Sequence, residues 1–506
     1  MKTTKHGILS SLNKEQKEAA GLLQIGTFLE YFDLMLYVHM AVLLNDLFFP
    51  KFDPFISSLL AATTFCSIYL LRPFSALLFG YIGDNMGRKP TVIITTIMMA
   101  SSCVVIANLP TYDEIGLTSS WIMIACRVIQ GMSSMEEVVG AEIYLTESSE
   151  IPARYPLVAS IHIASALGGT FALLVGILSI SYNFNWRYAF YIGASIALVG
   201  AVARTALRET PEFINAKRRR DNQIKMILGG CEPLIQEPSK LDKKTGLSYF
   251  AIQCARPACF YFTYVYSCTI LKNTFDYSVV EIITHNFLVS LVDTVGLITV
   301  VYLSYRIHPL KILKAKLIIF LPIVLLMPFL LNIMSIPFHL FLIQSFFCLF
   351  CIDSSPASPV FYNHFPILKR FTYGGLTYAI SRAFMYIIVS FGLVFLIDII
   401  GNYGLLIILL PVMLAFHLGL KHFTELEKEL DDDDDKETET FSYITKTLPH
   451  GRLQGNESRL DLHREEIIAS LANGESKVSI ARRLNTSQVN LYHWLKKRKI
   501  RTPKKR

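Results

Sequence analysis

The chain has 506 residues, of which 52% are hydrophobic and only 17% are charged. A soluble globular domain carries about 25% charged residues, so this composition excludes an ordinary soluble protein. The formal net charge of +8 has a local origin, because eleven Lys and Arg and no Asp or Glu lie between Lys477 and Arg506. The apolar residues are grouped into long runs, which is typical of a membrane protein.

The apolar runs predict the architecture, because each has about the twenty residues that a helix needs to cross a bilayer. Six runs lie near 21–48, 56–82, 90–108, 120–145, 157–181 and 187–207, and six more near 248–271, 283–304, 312–331, 337–361, 371–398 and 403–421. We therefore predict an all-α membrane protein with about twelve transmembrane helices in two six-helix halves, plus a small soluble helical C-terminal module.

The predicted segments follow from these runs and from the polar stretches between them. They are a cytoplasmic N-terminal segment (1–20), two six-helix halves (21–208 and 248–422), a central cytoplasmic loop (209–247), an acidic polar linker (423–462) and a basic helical module (463–506). With the N-terminus inside, the predicted inner loops contain most of the cations between the runs, including the basic cluster 217–220. Because cytoplasmic loops of membrane proteins are rich in Lys and Arg, we predict that both termini are cytoplasmic.

The first apolar run contains ionisable residues near its middle, where a transmembrane helix is usually apolar. Glu30, Asp33 and Tyr37 are spaced to share one helical face, and Asp33 lies near the middle of the run. An ionised group in hydrocarbon is costly, so such residues usually face a cavity or a partner. We predict that they line a solute or proton pathway; the alternative is a structural ion pair with Arg127 or Arg72.

A short glycine-rich turn separates the second and third runs. It contains Gly80, Asp84, Gly87, Arg88 and Lys89. Glycine has no Cβ and lets two helices approach closely. A carboxylate at a helix end can bind a cation or the positive N-terminus of a facing helix. We therefore predict that this turn is a conformational gating motif.

These residues resemble a known pattern. The loop between helices two and three of the major facilitator superfamily reads G-x-L-A-D-R-x-G-R-K, and the five residues of the turn match it, with Asn85 in place of Arg. In the fourth run, Arg127-Val128-Ile129-Gln130-Gly131 resembles the superfamily's R-x-x-Q-G. A second copy of the turn is expected in the second half. There the segment 303–309 has neither the glycines nor the carboxylate, which indicates a decayed copy.

The first run is also similar to the G-N-x-x-E-W-x-D-F-x-x-Y pattern of metabolite–proton symporters, a family that includes proline/betaine transporters. The matching residues are Gly26, Glu30, Asp33 and Tyr37, and Tyr31 replaces Trp. The resemblance covers roughly 21–420 and is densest in the first half. It departs from the family in the fourth run, where Met135 and Glu136 replace a glycine pair before Glu137.

The resemblance implies a proton-coupled secondary active transporter, a symporter, in a bacterial-type plasma (inner) membrane. Its solute would be small and polar, with a proline/betaine-type osmolyte favoured and a dicarboxylate second. The implied pathway residues are Glu30, Asp33, Tyr37, Arg127 and Glu137. No cofactor other than a coupling proton, no metal and no enzyme activity are predicted, since neither a P-loop nor a hydrolytic set of residues stands out.

The C-terminal module suggests a second partner. Residues 480–495 resemble the helix-turn-helix of recombinases and transposases, which would place Ser487, Gln488, Asn490 and His493 at DNA. A basic module that binds anionic lipid or a protein explains the same residues equally well. A membrane-tethered sensor or regulator with a DNA-binding tail is therefore the alternative hypothesis to transport.

Overall fold

The structure is a computed structural model. It describes residues 14–50, 69, 71–86, 88–181, 185–204, 214–215, 217–218, 241–447, 460, 463–472 and, singly or in pairs, 480, 483–484, 491 and 494–495. Throughout these ranges the regular structure is helical, without strands. The chain divides into two compact units, Met1–Glu427 and Lys428–Arg506.

The first half of the large unit contains seven described helices. They are α1 (Lys14–Phe48), α2 (Arg72–Asn85), α3 (Arg88–Asn108), α4 (Tyr112–Ile115), α5 (Leu117–Ser148), α6 (Arg154–Ser181) and α7 (Trp186–Arg204). Pro73 lies in the first turn of α2, where its missing N–H costs no helical hydrogen bond. Gly116, with φ of 62°, separates α4 from α5 in a conformation that favours glycine.

The second half contains more irregular helices. They are α8 (Lys243–Gln253), α9 (Ala255–Phe260), a π segment (Tyr261–Tyr266), α10 (Ser267–Phe275), α11 (Val279–Ser304), α12 (Pro309–Ile333), α13 (Pro337–Phe350), α14 (Ser358–Asn363), a 3-10 turn (Ile367–Lys369), α15 (Arg370–Ile387), a π segment (Ile388–Gly392), α16 (Leu393–Ile400), a 3-10 turn (Gly401–Tyr403) and α17 (Gly404–Thr447).

The run near 337–361 forms two helices instead of one. α13 ends at Phe350 and α14 begins at Ser358. Pro356 interrupts the segment between them because it has no backbone N–H to donate to a continuing helix. The break brings irregular backbone, including Asp353, into the interior of the bundle, and such backbone is expected at membrane depth only where protein or a cavity surrounds it.

Several helices fit a membrane environment. Within the described ranges, four stretches combine sufficient length with sufficient hydropathy to cross a bilayer: Arg154–Leu178, Val279–Ser304, Pro309–Ile333 and Ile367–Leu430. Large apolar side chains remain exposed on the outer faces of the bundle, among them Phe74, Trp121, Phe395 and Ile399. Exposed apolar surface of this extent is expected where lipid covers it.

The two halves pack against one another. Phe32, Phe48 and Phe190 belong to a core inside the first half, where Gly168 of α6 lies directly against the backbone carbonyl of Phe28. The core of the second half extends across the boundary, because Tyr69, Ala76 and Ile143 of the first half belong to it. This shared core places the inner faces of both halves around a common interior.

The small unit contains its own apolar core. The residues of this core are Leu460, Ile467, Leu471, Ile480, Leu484, Leu491, Trp494 and Leu495. The described helices of the unit are the end of α17, residues 428–447, and α18 (Arg464–Ala472). Arg483 forms an ion pair of 3.4 Å with Glu466. The start of the predicted linker, 423–462, is helical because α17 extends to Thr447.

Candidate functional site

A cavity lies between the two halves. Its volume is about 80 Å³, which corresponds to roughly six water-sized positions. Its aromatic and charged lining residues include Tyr31, Tyr69, Arg72, Arg256, Phe260, Tyr264, Asp293, Tyr378, Arg382 and Tyr386. The lining combines aromatic rings with charged groups, and both halves contribute. A site of this size and chemistry suits a small polar molecule.

Aromatic rings connect the halves beside the cavity. The Tyr69 and Tyr386 ring centroids are 4.0 Å apart. The Arg72 guanidinium lies over the Tyr69 ring, 4.5 Å from its centroid. On the other side, the Arg382 guanidinium lies 3.2 Å from the centroid of Tyr378. Each half therefore presents an arginine stacked on a tyrosine, an arrangement that fixes the plane of the guanidinium.

Asp33 lies in a polar cluster inside the first half. The Cys103 thiol donates to Asp33 Oδ1 at 3.0 Å, while Asp33 Oδ2 is buried and has no hydrogen-bond partner among the described residues. Arg127 donates to Gln130 Oε1 at 2.7 Å, and both residues are close enough to act on the Asp33 charge. A thiol is a weak donor, so this buried carboxylate is held by few strong hydrogen bonds.

A second charged cluster is buried in the other half. Lys316 donates to Asp353 Oδ1 at 3.2 Å. Arg256 lies 3.7 Å from Asp353 Oδ2 and 3.6 Å from Asp293 Oδ2. Two cations and two carboxylates therefore balance one another, as buried charges require. Of the four residues, Arg256 and Asp293 also line the cavity.

The glycine-rich turn meets the second half at one end of the bundle, here called the motif end. Asp84 Oδ2 accepts hydrogen bonds from Thr372 N at 2.9 Å and from Thr372 Oγ1 at 2.6 Å. Thr372 lies in the first turn of α15, so the carboxylate faces the positive end of that helix. A Cβ on Gly80 would lie 2.9 Å from Thr372 Cα, and one on Gly83 would lie 2.9 Å from Phe371. The missing side chains permit the approach of α2 to α15.

Two further polar contacts join the halves near the motif end. Arg370 forms a buried ion pair of 3.3 Å with Glu147. Glu142 accepts hydrogen bonds from Ser358 Oγ at 3.0 Å and from the Tyr362 hydroxyl at 2.8 Å. His162 Nε2 lies 2.9 Å from the same carboxylate. Together with the Asp84 contact, these interactions hold the halves together at the motif end.

Comparison with known proteins identifies this arrangement. The family model described as Major Facilitator Superfamily matches residues 23–366. The chain belongs to the Major Facilitator Superfamily. The superfamily consists of multi-pass membrane transporters, and the described part of this chain has their all-helical fold.

Solved members of the superfamily share the fold at low sequence identity. The structure of a proton:xylose symporter bound to 6-bromo-6-deoxy-D-glucose superposes with a TM-score of 0.64 at 14% identity, over 81% of this chain and 95% of that one. The human organic anion transporter MFSD10 gives a TM-score of 0.56 at 17% identity, over 81% and 100% of the two chains. At these identities the likeness is one of fold.

Curated superfamily relatives are more similar over a shorter length. The proline/betaine transporter of Escherichia coli K12 is 32% identical over 204 residues, which are 39% of this chain and 41% of the relative. The proline/betaine transporter of Salmonella typhimurium LT2 is 31% identical over the same length and the same shares. The match therefore spans about two-fifths of either chain.

The structure places only part of the predicted site. Glu30, Asp33 and Arg127 are buried in the first half, and Gly80 and Asp84 lie at the motif end. The other predicted site residues lie outside the described residues or have side chains outside them: Tyr37, Gly87, Arg88, Lys89, Glu137, Ser487, Gln488, Asn490 and His493. Within the described ranges, no group of three or more His, Cys, Asp or Glu could hold a metal ion.

The sequence-based prediction does not include three of the charged residues that form these clusters. Arg256 and Lys316 belong to the second-half cluster, and Arg370 holds Glu147. Arg256 and Lys316 lie within apolar runs, where an isolated charge is itself a signal of a cavity or a buried partner. The aromatic lining carries no such signal, because Tyr and Phe are abundant along the whole chain.

Proposed function

We propose that this chain is a secondary active transporter that moves a small polar solute through the central cavity together with protons. The observation that carries the proposal is a cavity lined by charged and aromatic residues from both halves. Transporters of this architecture place their solute between the halves and rock one half against the other. The polar contacts of Asp84, Glu142 and Glu147 would then close one side of the path.

The proton pathway is proposed to include Asp33, with Glu30 and Arg127 nearby in the first half. Asp33 is buried and one of its oxygens has no hydrogen-bond partner within the described chain. A proton could therefore bind there without breaking a strong hydrogen bond. Tyr37 and Glu137 remain proposed pathway residues on their sequence pattern alone.

The solute is proposed to be a proline/betaine-type osmolyte, as the names of the relatives suggest, with a dicarboxylate as the second candidate. Aromatic rings at the cavity suit a quaternary or secondary ammonium group. We further propose about twelve spans, with both termini on the cytoplasmic side of a bacterial-type plasma membrane. The motif end would then be the cytoplasmic end, and Gly80, Asp84, Gly87, Arg88 and Lys89 would form the gate.

Solute uptake tests this proposal. The purified full chain is reconstituted into liposomes, and uptake of labelled proline and glycine betaine is measured with and without an inward proton gradient. We expect the gradient to drive accumulation above the external concentration. Uptake that only equilibrates, with or without the gradient, would show a facilitator; binding without any movement would favour the sensor alternative.

A second candidate function belongs to the small unit, which has its own apolar core. We propose that this unit folds independently, binds DNA or anionic lipid through its Lys and Arg residues, and is dispensable for transport. If the helix-turn-helix pattern is meaningful, DNA of one sequence should compete for the isolated unit better than scrambled DNA or anionic vesicles do. Equal competition by the three would show that the unit binds through its charge alone. Truncation before Leu460 should leave uptake unchanged.

A further inference from the structure

Arg72 differs from the other cations of the cavity. Its side chain is buried, with 3% relative exposure, and it lines the cavity. Its Nε and Nη2 atoms are buried and have no hydrogen-bond partner in the described part of the chain. Guanidinium groups stay ionised in proteins, and a buried charged donor without an acceptor is costly. Such an arrangement indicates a ligand that supplies the acceptor.

The other two arginines that line the described cavity already have protein partners. Arg256 is held between Asp293 and Asp353. Arg382 donates to Gln253 Oε1 at 3.2 Å. Among these three cavity-lining cations, Arg72 therefore differs in having buried hydrogen-bond donors without a partner in the described part of the chain.

The surroundings of Arg72 favour a carboxylate. The Tyr69 ring beneath the guanidinium leaves the edge of the planar group free for in-plane contacts. Two parallel N–H donors on that edge match the two oxygens of a carboxylate. The charge of Glu30 also acts on Arg72, but Nε and Nη2 donate no hydrogen bond to it.

The opposite wall suits a positive group. Asp293 lines the cavity, and its contact with Arg256 is 3.6 Å, longer than a hydrogen bond. Its carboxylate can therefore accept from a second donor. The aromatic side chains of Phe260 and Tyr264 line the same cavity and can contact an ammonium group.

We propose that Arg72 anchors the carboxylate of the transported solute, and that the solute carries one carboxylate rather than two. The proposal rests on the proposed transport function and narrows its substrate class. A second carboxylate would have to compete with the protein partners that Arg256 and Arg382 already have. A zwitterion instead places its carboxylate at Arg72 and its ammonium group near Asp293.

The test measures binding, so that it does not depend on transport. The melting temperature of the purified full chain is recorded with matched solute pairs that differ in the carboxylate: propionate and propionamide, proline and prolinamide, glycine betaine and choline. Succinate serves as the dicarboxylate probe. A ligand that binds only the folded protein raises its melting temperature. We expect at least one acid to do so, while its partner without a carboxylate and succinate have no effect.

Substitutions of Arg72 then test whether this residue binds the solute carboxylate. Arg72→Gln should weaken binding of the active acid by about 10- to 100-fold, because charged hydrogen bonds are lost. Arg72→Lys should restore part of it, since the charge remains without the bidentate fork. Arg306→Gln is the matched control: Arg306 also lies over a tyrosine ring, Tyr302, at 5.2 Å, but it is exposed and outside the cavity.

Four results would overturn the proposal: no carboxylate-dependent shift in any pair, equal shifts from an acid and its partner, a larger shift from succinate, or an unchanged shift in Arg72→Gln. The wild-type comparison stands even if Arg72→Gln fails to fold. Transport itself is judged separately, because gradient-driven uptake of a solute without a carboxylate would contradict the Arg72 anchor and leave the transporter proposal intact.

Discussion

The two halves hold their buried carboxylates in different ways. In the first half, Asp33 receives a hydrogen bond from the Cys103 thiol, and one of its oxygens has no partner among the described residues. In the second half, Asp353 lies between Lys316 and Arg256. Protonating Asp353 would leave Lys316 without its hydrogen-bonded carboxylate and Arg256 with Asp293 alone, whereas protonating Asp33 would break no strong hydrogen bond. We therefore expect Asp33 to be the carboxylate that exchanges a proton and Asp353 to be one that stabilises the fold.

The helix-connecting turns also differ between the halves. Asp84 reaches from the first half to the start of α15. The corresponding second-half turn, 303–309, has no carboxylate, and its His308 lies 3.9 Å from Glu427 of its own half. The second-half turn contacts the first half through the rings of His308 and Tyr155, whereas the first-half turn does so through the hydrogen-bonded carboxylate of Asp84. We therefore expect closure to depend more on the first-half copy.

The largest effect is expected from Asp33→Asn. The amide cannot take up a proton, so uptake driven by a pH gradient should fall to the level of protein-free liposomes. Its thermal stability should fall by less than that of Asp353→Asn, since the amide oxygen of Asn can still accept from the Cys103 thiol, which is a weak donor. Uptake and unfolding are measured on the same preparation. Unchanged gradient-driven uptake would remove Asp33 from the proton pathway.

Asp353→Asn should show the reverse pattern. It leaves Lys316 buried beside a neutral amide, and breaking a buried ion pair costs about 3–5 kcal/mol. Thermal unfolding in detergent measures the loss. The double variant Asp353→Asn with Lys316→Met should recover much of it, because both charges are then removed. If Asp353→Asn is stable but loses proton coupling, Asp353 and not Asp33 would be the carboxylate that exchanges a proton.

How far the sequence predicts these features depends on the kind of interaction. Long apolar runs indicate the helices, and the glycines around Asp84 indicate a close helix contact, because both signals are local. The partners of Lys316 are not predictable in this way. Asp353 lies near Lys316 because the helix ends at Phe350. A contact between residues so distant in sequence depends on the tertiary fold and leaves no local sequence signal. The cavity lining is hidden for the same reason.

Gly80→Ala tests the turn at the motif end. The added Cβ would lie 2.9 Å from Thr372 Cα, so α2 and α15 must separate, at a cost of about 1–3 kcal/mol. We expect slower transport and faster hydrogen exchange at the Thr372 amide. Gly375→Ala is the matched control in the same interface, because its Cβ would lie 3.8 Å from Ala76 Cβ, an ordinary contact. Equal behaviour of both variants would contradict a specific role for Gly80.

The smallest effect is expected at Asp242, which caps α8 outside the membrane-spanning part. Its carboxylate accepts from Thr245 N at 3.1 Å, and this backbone hydrogen bond lowers the pKa of Asp242. A lowered pKa stabilises the fold above the unfolded value of about 3.9, and the contribution disappears as the pH falls through the folded value. Asp242→Ala should therefore be slightly less stable than wild type at neutral pH and equal to it in acid. A difference that grows in acid would be inconsistent with this cap.

The central claim is that solute and proton cross together, and solute-induced proton movement tests it most directly. Liposomes containing the full chain are placed in weakly buffered medium without a gradient, and the external pH is recorded when proline or glycine betaine is added. We expect the medium to become more alkaline with the wild type and not with Asp33→Asn. Solute entry into wild-type liposomes at constant external pH would contradict it.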